Sequence, residues 1–279
     1  MNKKILYFIF VLFFSNYLSA FAQAANFSFN PQVDTMLSIS TSTPPALVWV
    51  VDSQGRKTGA DPTIPINPNG QQMANYPYGP LDGIPNSESE QQCINDSATG
   101  VGQSTTTWFI NVKTTSTQTF TINDMGVSTG VSDLTIFGLF PGFRNKKSIS
   151  LLVNAGSTHQ IEVSFNPQQK NLLLTRVVEP GDLLNDVKTS CQLNLITSRH
   201  VCKHLEDKAE EIKDALTSNQ NKRAEGLIYI FLHYLGDSRP IECSDEDDHD
   251  VIQQAALTIL VEDAKALLKS IENAEGDRP

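Results

Sequence analysis

The feature that most constrains this chain is a change of hydrophobic period near residue 195. Before it, short β-rich runs alternate with turn residues. After it, apolar residues recur every three or four positions. The first part holds VDTMLSIS (33–40), ALVWVV (46–51), TWFINV (107–112), TFTI (119–122), LTIFGLF (134–140), SISLLV (148–153), HQIEVSF (159–165) and LLLTRVV (172–178). In HQIEVSF, Ile161, Val163 and Phe165 share one face while Gln160, Glu162 and Ser164 share the other, as a half-buried strand requires. NAGST (154–158) and NPQQKN (166–171) separate the last three runs with turn formers, which predicts an antiparallel meander. Strands in this number without a helix predict an antiparallel β-sandwich over residues 23–196. Residues 53–105 are expected to be a long Pro/Gly-rich loop, since six of the 14 prolines fall between Pro62 and Pro85.

The second part carries three helical stripes. Val201, Leu205, Ala209, Ile212 and Leu216 make the first, and Ala224, Leu227, Ile228, Phe231, Tyr234 and Leu235 the second. Ile252, Ala255, Ala256, Ile259, Leu260, Leu267 and Ile271 make the third, with stop signals at TSNQN (217–221) and GDSRP (236–240) between them. A small three-helix module over 197–273 follows, with a disordered tail at 274–279. The expected fold is therefore multidomain, β then α.

The N-terminus has the layout of a secretory signal peptide over residues 1–22. Lys3 and Lys4 precede the apolar run ILYFIFVLFF (5–14), and Ala20 and Ala22 place cleavage between Ala22 and Gln23. The run is too short to span a bilayer, which takes about 20 residues, so no membrane insertion is expected after signal removal. Localisation is expected to be secreted or periplasmic. Without Lys3 and Lys4 the 21 basic residues fall to 19 against 31 acidic ones, a net charge of −12. Nucleic acid and anionic lipid need a positive field, so neither is an expected partner.

Four cysteines in an oxidising compartment favour disulfides, and four allow three pairings. If the first two helices run antiparallel, the end of the second returns to the start of the first. Cys202 then meets Cys243, closing about 40 residues and stabilising by roughly 3–4 kcal/mol. By elimination Cys93 pairs with Cys191.

Several motifs invite a chemical reading. GRKTG (55–59) lacks the four-residue spacer and following helix of a phosphate loop, whereas DSQG (52–55) has the aspartate and glycine of a β-turn. GVSTG (126–130) fits the nucleophile-elbow pattern around Ser128, with Asp133 and His159 in the right chain order. The strand-like LTIFGLF after it argues for a glycine-rich hairpin connection instead. His200, Cys202, His204, Cys243 and His249 contain enough ligands for zinc, but an oxidised cysteine pair supplies no thiolates. The acidic run SDEDDHD (244–250) lacks the glycine and ligand spacing of an EF-hand loop and complements the N-terminal dipole of the next helix. Trp49 and Trp108 lie on apolar strand faces and are expected in the core. Tyr76 and Tyr78 in NYPYGP are the candidate ligand contacts, set against a staple for the long loop. No catalytic, metal or cofactor site is expected.

GRKTGADP (55–62), with GIPNS (83–87) further on, resembles the "GRRTG-x-DP … IPxA" signature of β-sandwich modules in secreted bacterial proteins, with Lys57 standing where the signature has arginine. LIYIFLHYLGD (227–237) and AALTILVEDAKALL (255–268) resemble the FIMAH domain, a helical module at the ends of bacterial extracellular proteins. That likeness covers about 198–273. Neither family brings a catalytic residue; both imply extracytoplasmic interaction or attachment. The expected function is a non-catalytic binding protein whose partner is an unidentified protein or glycan. A hydrolase using Ser128 or loop carboxylates and a structural spacer of a surface assembly are the alternatives.

Overall fold

The structure is a computed structural model, and it describes residues 29–41, 46–63, 81–95, 104–237 and 252–276. Eleven strands precede four helices among the described residues. β1 (Met36–Thr41), β2 (Ala46–Asp52), β3 (Lys57–Gly59), β4 (Leu81–Asp82), β5 (Ser87–Asn95) and β6 (Ser104–Lys113) come first. β7 (Gln118–Gly126), β8 (Gly130–Phe140), β9 (Phe143–Val153), β10 (Thr158–Asn166) and β11 (Asn171–Val177) follow. They form two antiparallel sheets, one ordered β5-β6-β1-β8-β9 and the other β11-β10-β7-β2-β3-β4. The helices are α1 (Asp182–Gln192), α2 (Arg199–Thr217), α3 (Asn221–Asp237) and α4 (Gln254–Gly276).

One apolar cluster draws on both sheets: Leu37, Ile39, Ile110, Val112, Leu134 and Ile136 from the first, Val50, Phe120, Ile122, Ile161, Val163 and Phe165 from the second. These are alternate positions along each strand, so the period-two pattern does decide which face is buried. The eight runs read from the sequence are all strands. Their connectivity differs from the expected meander, because β9 lies in the five-stranded sheet while β10 and β11 lie in the other. GVSTG is likewise no hairpin: it carries the chain from β7 in one sheet to β8 in the other. The two crossings brace one another, with Gly126 N–H donating to Ser157 O and Gly156 N–H to Gly126 O. Turn chemistry marks where a chain reverses, not which sheet receives it.

The long loop at 53–105 is also corrected, since β3, β4, β5 and the start of β6 lie within it. β5 reads SESEQQCIN, whose polar composition hides a strand that pairs with β6 from Ser87↔Val112 to Asn95↔Ser104. Trp49 and Trp108 are buried, as their faces predict.

A helix begins at Asp182, well before the boundary at 196/197, and makes the helix count four rather than three. α1 has only Leu183, Leu184 and Val187 as buried apolar residues, too few for a visible stripe, yet all three enter the helical core. α4 runs through Gly276, past the expected start of the tail. Most of the remaining stripes hold, with Val201, Leu205, Ile228, Phe231, Leu260 and Leu267 in that core, but Ala255 is exposed and Ile252 lies ahead of α4 in a bridge to Ile196.

α1 also overturns the disulfide pairing. Cys191 in its last turn is joined to Cys202 in the first turns of α2, with 5.9 Å between Cα atoms and only 11 residues of separation. A helix ending at Gln192 followed by a short reversal brings these two together before Cys243 can compete. Neither Cys202–Cys243 nor Cys93–Cys191 is then available; Cys93 lies in β5 and Cys243 outside the described residues.

Candidate functional site

Four strands end their apolar series on a polar residue at the same end of the core. β7 runs Phe120, Ile122, Asp124; β8 begins Ser132 before Leu134 and Ile136; β10 begins His159 before Ile161 and Val163; β11 runs Leu172, Leu174, Arg176. Antiparallel register collects them, with His159 opposite Asp124 and Arg176 opposite Ile161. α1 and α4 close over this end, packing on β9 and, for α4, β11 as well.

The helices bring carboxylates to the strand cations. Arg176 Nη2 donates to Asp186 Oδ2 of α1 at 2.8 Å, and Arg176 Nη1 contacts Asp263 Oδ1 of α4. The same Nη2 lies 3.4 Å from His159 Nδ1. At the rim, Asn154 Nδ2 donates to Thr189 Oγ1, tying the β9–β10 corner to α1. Asp186 and Asp263 sit on the buried stripes of their helices, spaced from apolar neighbours as a core residue would be.

Burial dominates the electrostatics. Arg176, Asp186, Asp263, Asp124 and His159 are all between 0% and 8% exposed. Burial, with the Asp186 charge adding to it and Arg176 opposing, raises the Asp263 carboxyl well above the usual carboxylate range. Burial pushes Asp124 up to about 7 against the opposing Ser132 hydroxyl and Arg176 charge. The Ser132 hydroxyl lies beside Asp124 without a hydrogen bond of ordinary geometry. Asp182 at the start of α1 is raised by burial, and burial depresses the His159 imidazole. The arrangement has the parts of an acid–base centre, but its groups are sealed beneath two helices. Chemically it can hold protons and bind layers together.

The three residues of the nucleophile-elbow reading stand in different settings. Ser128 is exposed in the β7–β8 crossing, Asp133 accepts from Ser150 Oγ on the opposite face of its strand from Ser132, and His159 is in the junction. Among the described residues no three His, Cys, Asp or Glu side chains are arranged to hold a metal ion, and Cys202 is in a disulfide. No helix of the described residues is long and apolar enough to cross a membrane. Tyr76, Tyr78, Ala22, Gln23, Cys243, His249 and the acidic run 244–250 lie outside the described residues.

Four of the five GRKTG positions have a structural role. Gly55 N–H closes the turn onto Asp52 O with φ +78°, and Asp52 accepts from Gln54 N, Arg56 N and Arg56 Nε at 2.9, 2.9 and 2.7 Å. Thr58 Oγ1 lies 2.7 Å from Ser87 Oγ and accepts from Ile84 N at 3.1 Å. GRKTG and GIPNS are therefore two sides of one rivet at the sheet edge. Gly59 has φ +121° and a Cβ there would stand 2.6 Å from Val48 O, so only glycine fits.

The five-stranded sheet turns a second, more polar face away from the common core, in which Ser38 and Asn111 are themselves buried. One register row across it reads Glu88, Asn111, Ser38, Phe137, Lys146, and the next Glu90, Phe109, Ser40, Thr135, Ser148. Asn111 Nδ2 donates to Glu88 Oε1 at 3.1 Å, while its buried Oδ1 makes no hydrogen bond. Phe137 is half-buried, with Arg144 and Lys146 at 5.1 and 5.9 Å from its ring centre. The alternation of β8 and β1 contained this row, but the polar β5 did not read as a strand.

Comparison with known proteins finds no matching family model, no matching curated protein and no matching solved structure.

Proposed function

We propose that the chain is an extracytoplasmic, non-catalytic binding protein. Its sheets form a β-sandwich that recognises a partner protein or surface glycan, and its helices act as a FIMAH-like attachment module. The observation that carries this reading is the half-buried Phe137 with the exposed Arg144 and Lys146 over its ring and Glu88 at the far end of the same row, while Asn111 and Ser38 between them are buried. Sugar hydroxyls and extended peptides are both met by such a mixture of a few aimed polar groups and an aromatic surface. The Cys191–Cys202 bridge supports a secreted or periplasmic setting, where disulfides persist. The GRKTG–GIPNS contact supports likeness to the secreted bacterial modules, because Thr58 and Ile84, both shared with their signature, are hydrogen-bonded there, although Ser87 stands where the signature has alanine.

Glycan-array and cell-surface binding of the wild type, Phe137→Ala and Lys146→Ala tests it. Each substitution should weaken binding about tenfold, the equivalent of 1.4 kcal/mol, with circular dichroism unchanged. A parallel Tyr76→Ala/Tyr78→Ala variant reports the contribution of NYPYGP. No wild-type signal above background, or wild-type binding by both Phe137→Ala and Lys146→Ala, would sink the proposal.

A further inference from the structure

The junction between sheets and helices holds more acid than its cations can neutralise. Facing the space are Asp124 from β7, His159 from β10, Arg176 from β11, Asp182 and Asp186 from α1, and Asp263 from α4. One guanidinium meets two carboxyl groups directly, the buried imidazole lies against the same guanidinium, and Asp124 has no hydrogen bond of ordinary geometry to either oxygen. Were Asp124, Asp186 and Asp263 all ionised, the closed core would carry a net charge of two negatives beside Arg176. Uncompensated charge in such a site is relieved by taking up a proton rather than by remaining ionised.

We infer that this junction is a proton-loaded latch: Asp263 holds a proton beside the Arg176–Asp186 ion pair when α1 and α4 are docked, and loss of that proton releases the helices from the strand ends. The device regulates how firmly the attachment helices are coupled to the sheets, and it stands whether or not the sheet face binds a glycan. The sign follows from proton counts. A carboxyl raised in the docked state binds more protons there than when released, so docking is strongest below the ordinary carboxylate value. It is then lost as pH rises through the docked-state value. Asp124, raised to about 7, and Asp182 act in the same direction. His159 acts oppositely: its depressed imidazole favours docking above its ordinary value of 6.5 and opposes it as pH falls below that.

Hydrogen exchange of the full chain across pH 5.5–9, corrected for intrinsic exchange rates, reads the latch directly. Amides of α1 and α4 should lose protection relative to those of β10, the opening constant rising about tenfold per pH unit for each proton released. Asp263→Asn, which mimics the protonated acid, should remove most of that slope, while Asp124→Asn should remove only its own part. Should Asp263→Asn fail to fold, infrared spectroscopy of wild-type protein with labelled aspartate decides. The band of a protonated carboxyl should be present at pH 7, persist in labelled Asp124→Asn, and vanish in step with α1 and α4 protection. Absence of that band at pH 7, its loss without a change in protection, or an unchanged slope in folded Asp263→Asn overturns the inference.

Discussion

Replacing Arg176 by methionine is the sharpest single perturbation of this fold. Methionine keeps much of the stem and removes the guanidinium, so the loss is chiefly electrostatic. Asp186 and Asp263, 1% and 0% exposed, then face one another with no cation between them. Asp263 already holds its carboxyl well above the usual range through burial, so the pair's remaining charge is the one in question. Relieving that charge means binding one further proton, at a cost of about 1.4 kcal/mol for each pH unit above an ordinary carboxylate value of about 3.9. At pH 7 this comes to about 4 kcal/mol, within the 3–5 kcal/mol typical of a buried ion pair broken from one side. At pH 5 the same step costs only about 1.5 kcal/mol.

The expected outcome is therefore a destabilisation that shrinks with acidity. Urea unfolding followed by far-ultraviolet circular dichroism at pH 7 and pH 5 measures both losses. Adding Asp186→Asn to Arg176→Met should recover most of the loss at pH 7, because the amide needs no proton. A loss below about 1 kcal/mol at pH 7 would mean that water reaches the pair and screens it. Equal losses at the two pH values would show that packing, not charge, is what Arg176 supplies.

Two further outcomes test other parts of the fold. Removing the bridge with Cys191→Ala/Cys202→Ala should cost about 2–3 kcal/mol on the chain-entropy model, and non-reducing peptide mapping should recover Cys191 linked to Cys202; a Cys202–Cys243 peptide would displace α1 from its position. Gly59→Ala should destabilise by about 3 kcal/mol, since both φ +121° and the approach to Val48 O exclude a side chain, whereas Gly55→Ala, at φ +78° with open space around it, should cost only about 1 kcal/mol; equal melting temperatures for the two variants would contradict the close packing of β3 on β2.

Periodicity made the buried faces legible in the sequence, and it failed where a segment lacked enough apolar residues to display a period. Ile161, Val163 and Phe165 announce their face through alternation, as Leu205, Ala209 and Ile212 do through helical spacing. β5 has almost no apolar residue, because its neighbour β6 supplies the core side chains and the edge strand contributes backbone pairing. α1 buries Asp186, Thr189 and Ser190 alongside its three apolar residues, so its buried stripe reads as polar. Missing α1 misplaced both disulfides, since a pairing deduced from helix directions changes when a helix is added.

The junction was hidden for a related reason. Asp124, Ser132, His159 and Arg176 each occupy the next core-facing position of an apolar series, yet a polar residue at a strand end normally signals that the strand has reached solvent. What distinguishes these four is that they coincide at one end of the core, and coincidence depends on the register His159↔Asp124 and Ile161↔Arg176. The answering residues come from α1 and α4, where Asp186 and Asp263 stand at core positions. An apolar strand end would have docked the helices without selecting which helix meets which strand. One guanidinium shared between two carboxyl groups makes that choice, because any other seating of α1 and α4 leaves a buried charge without its partner.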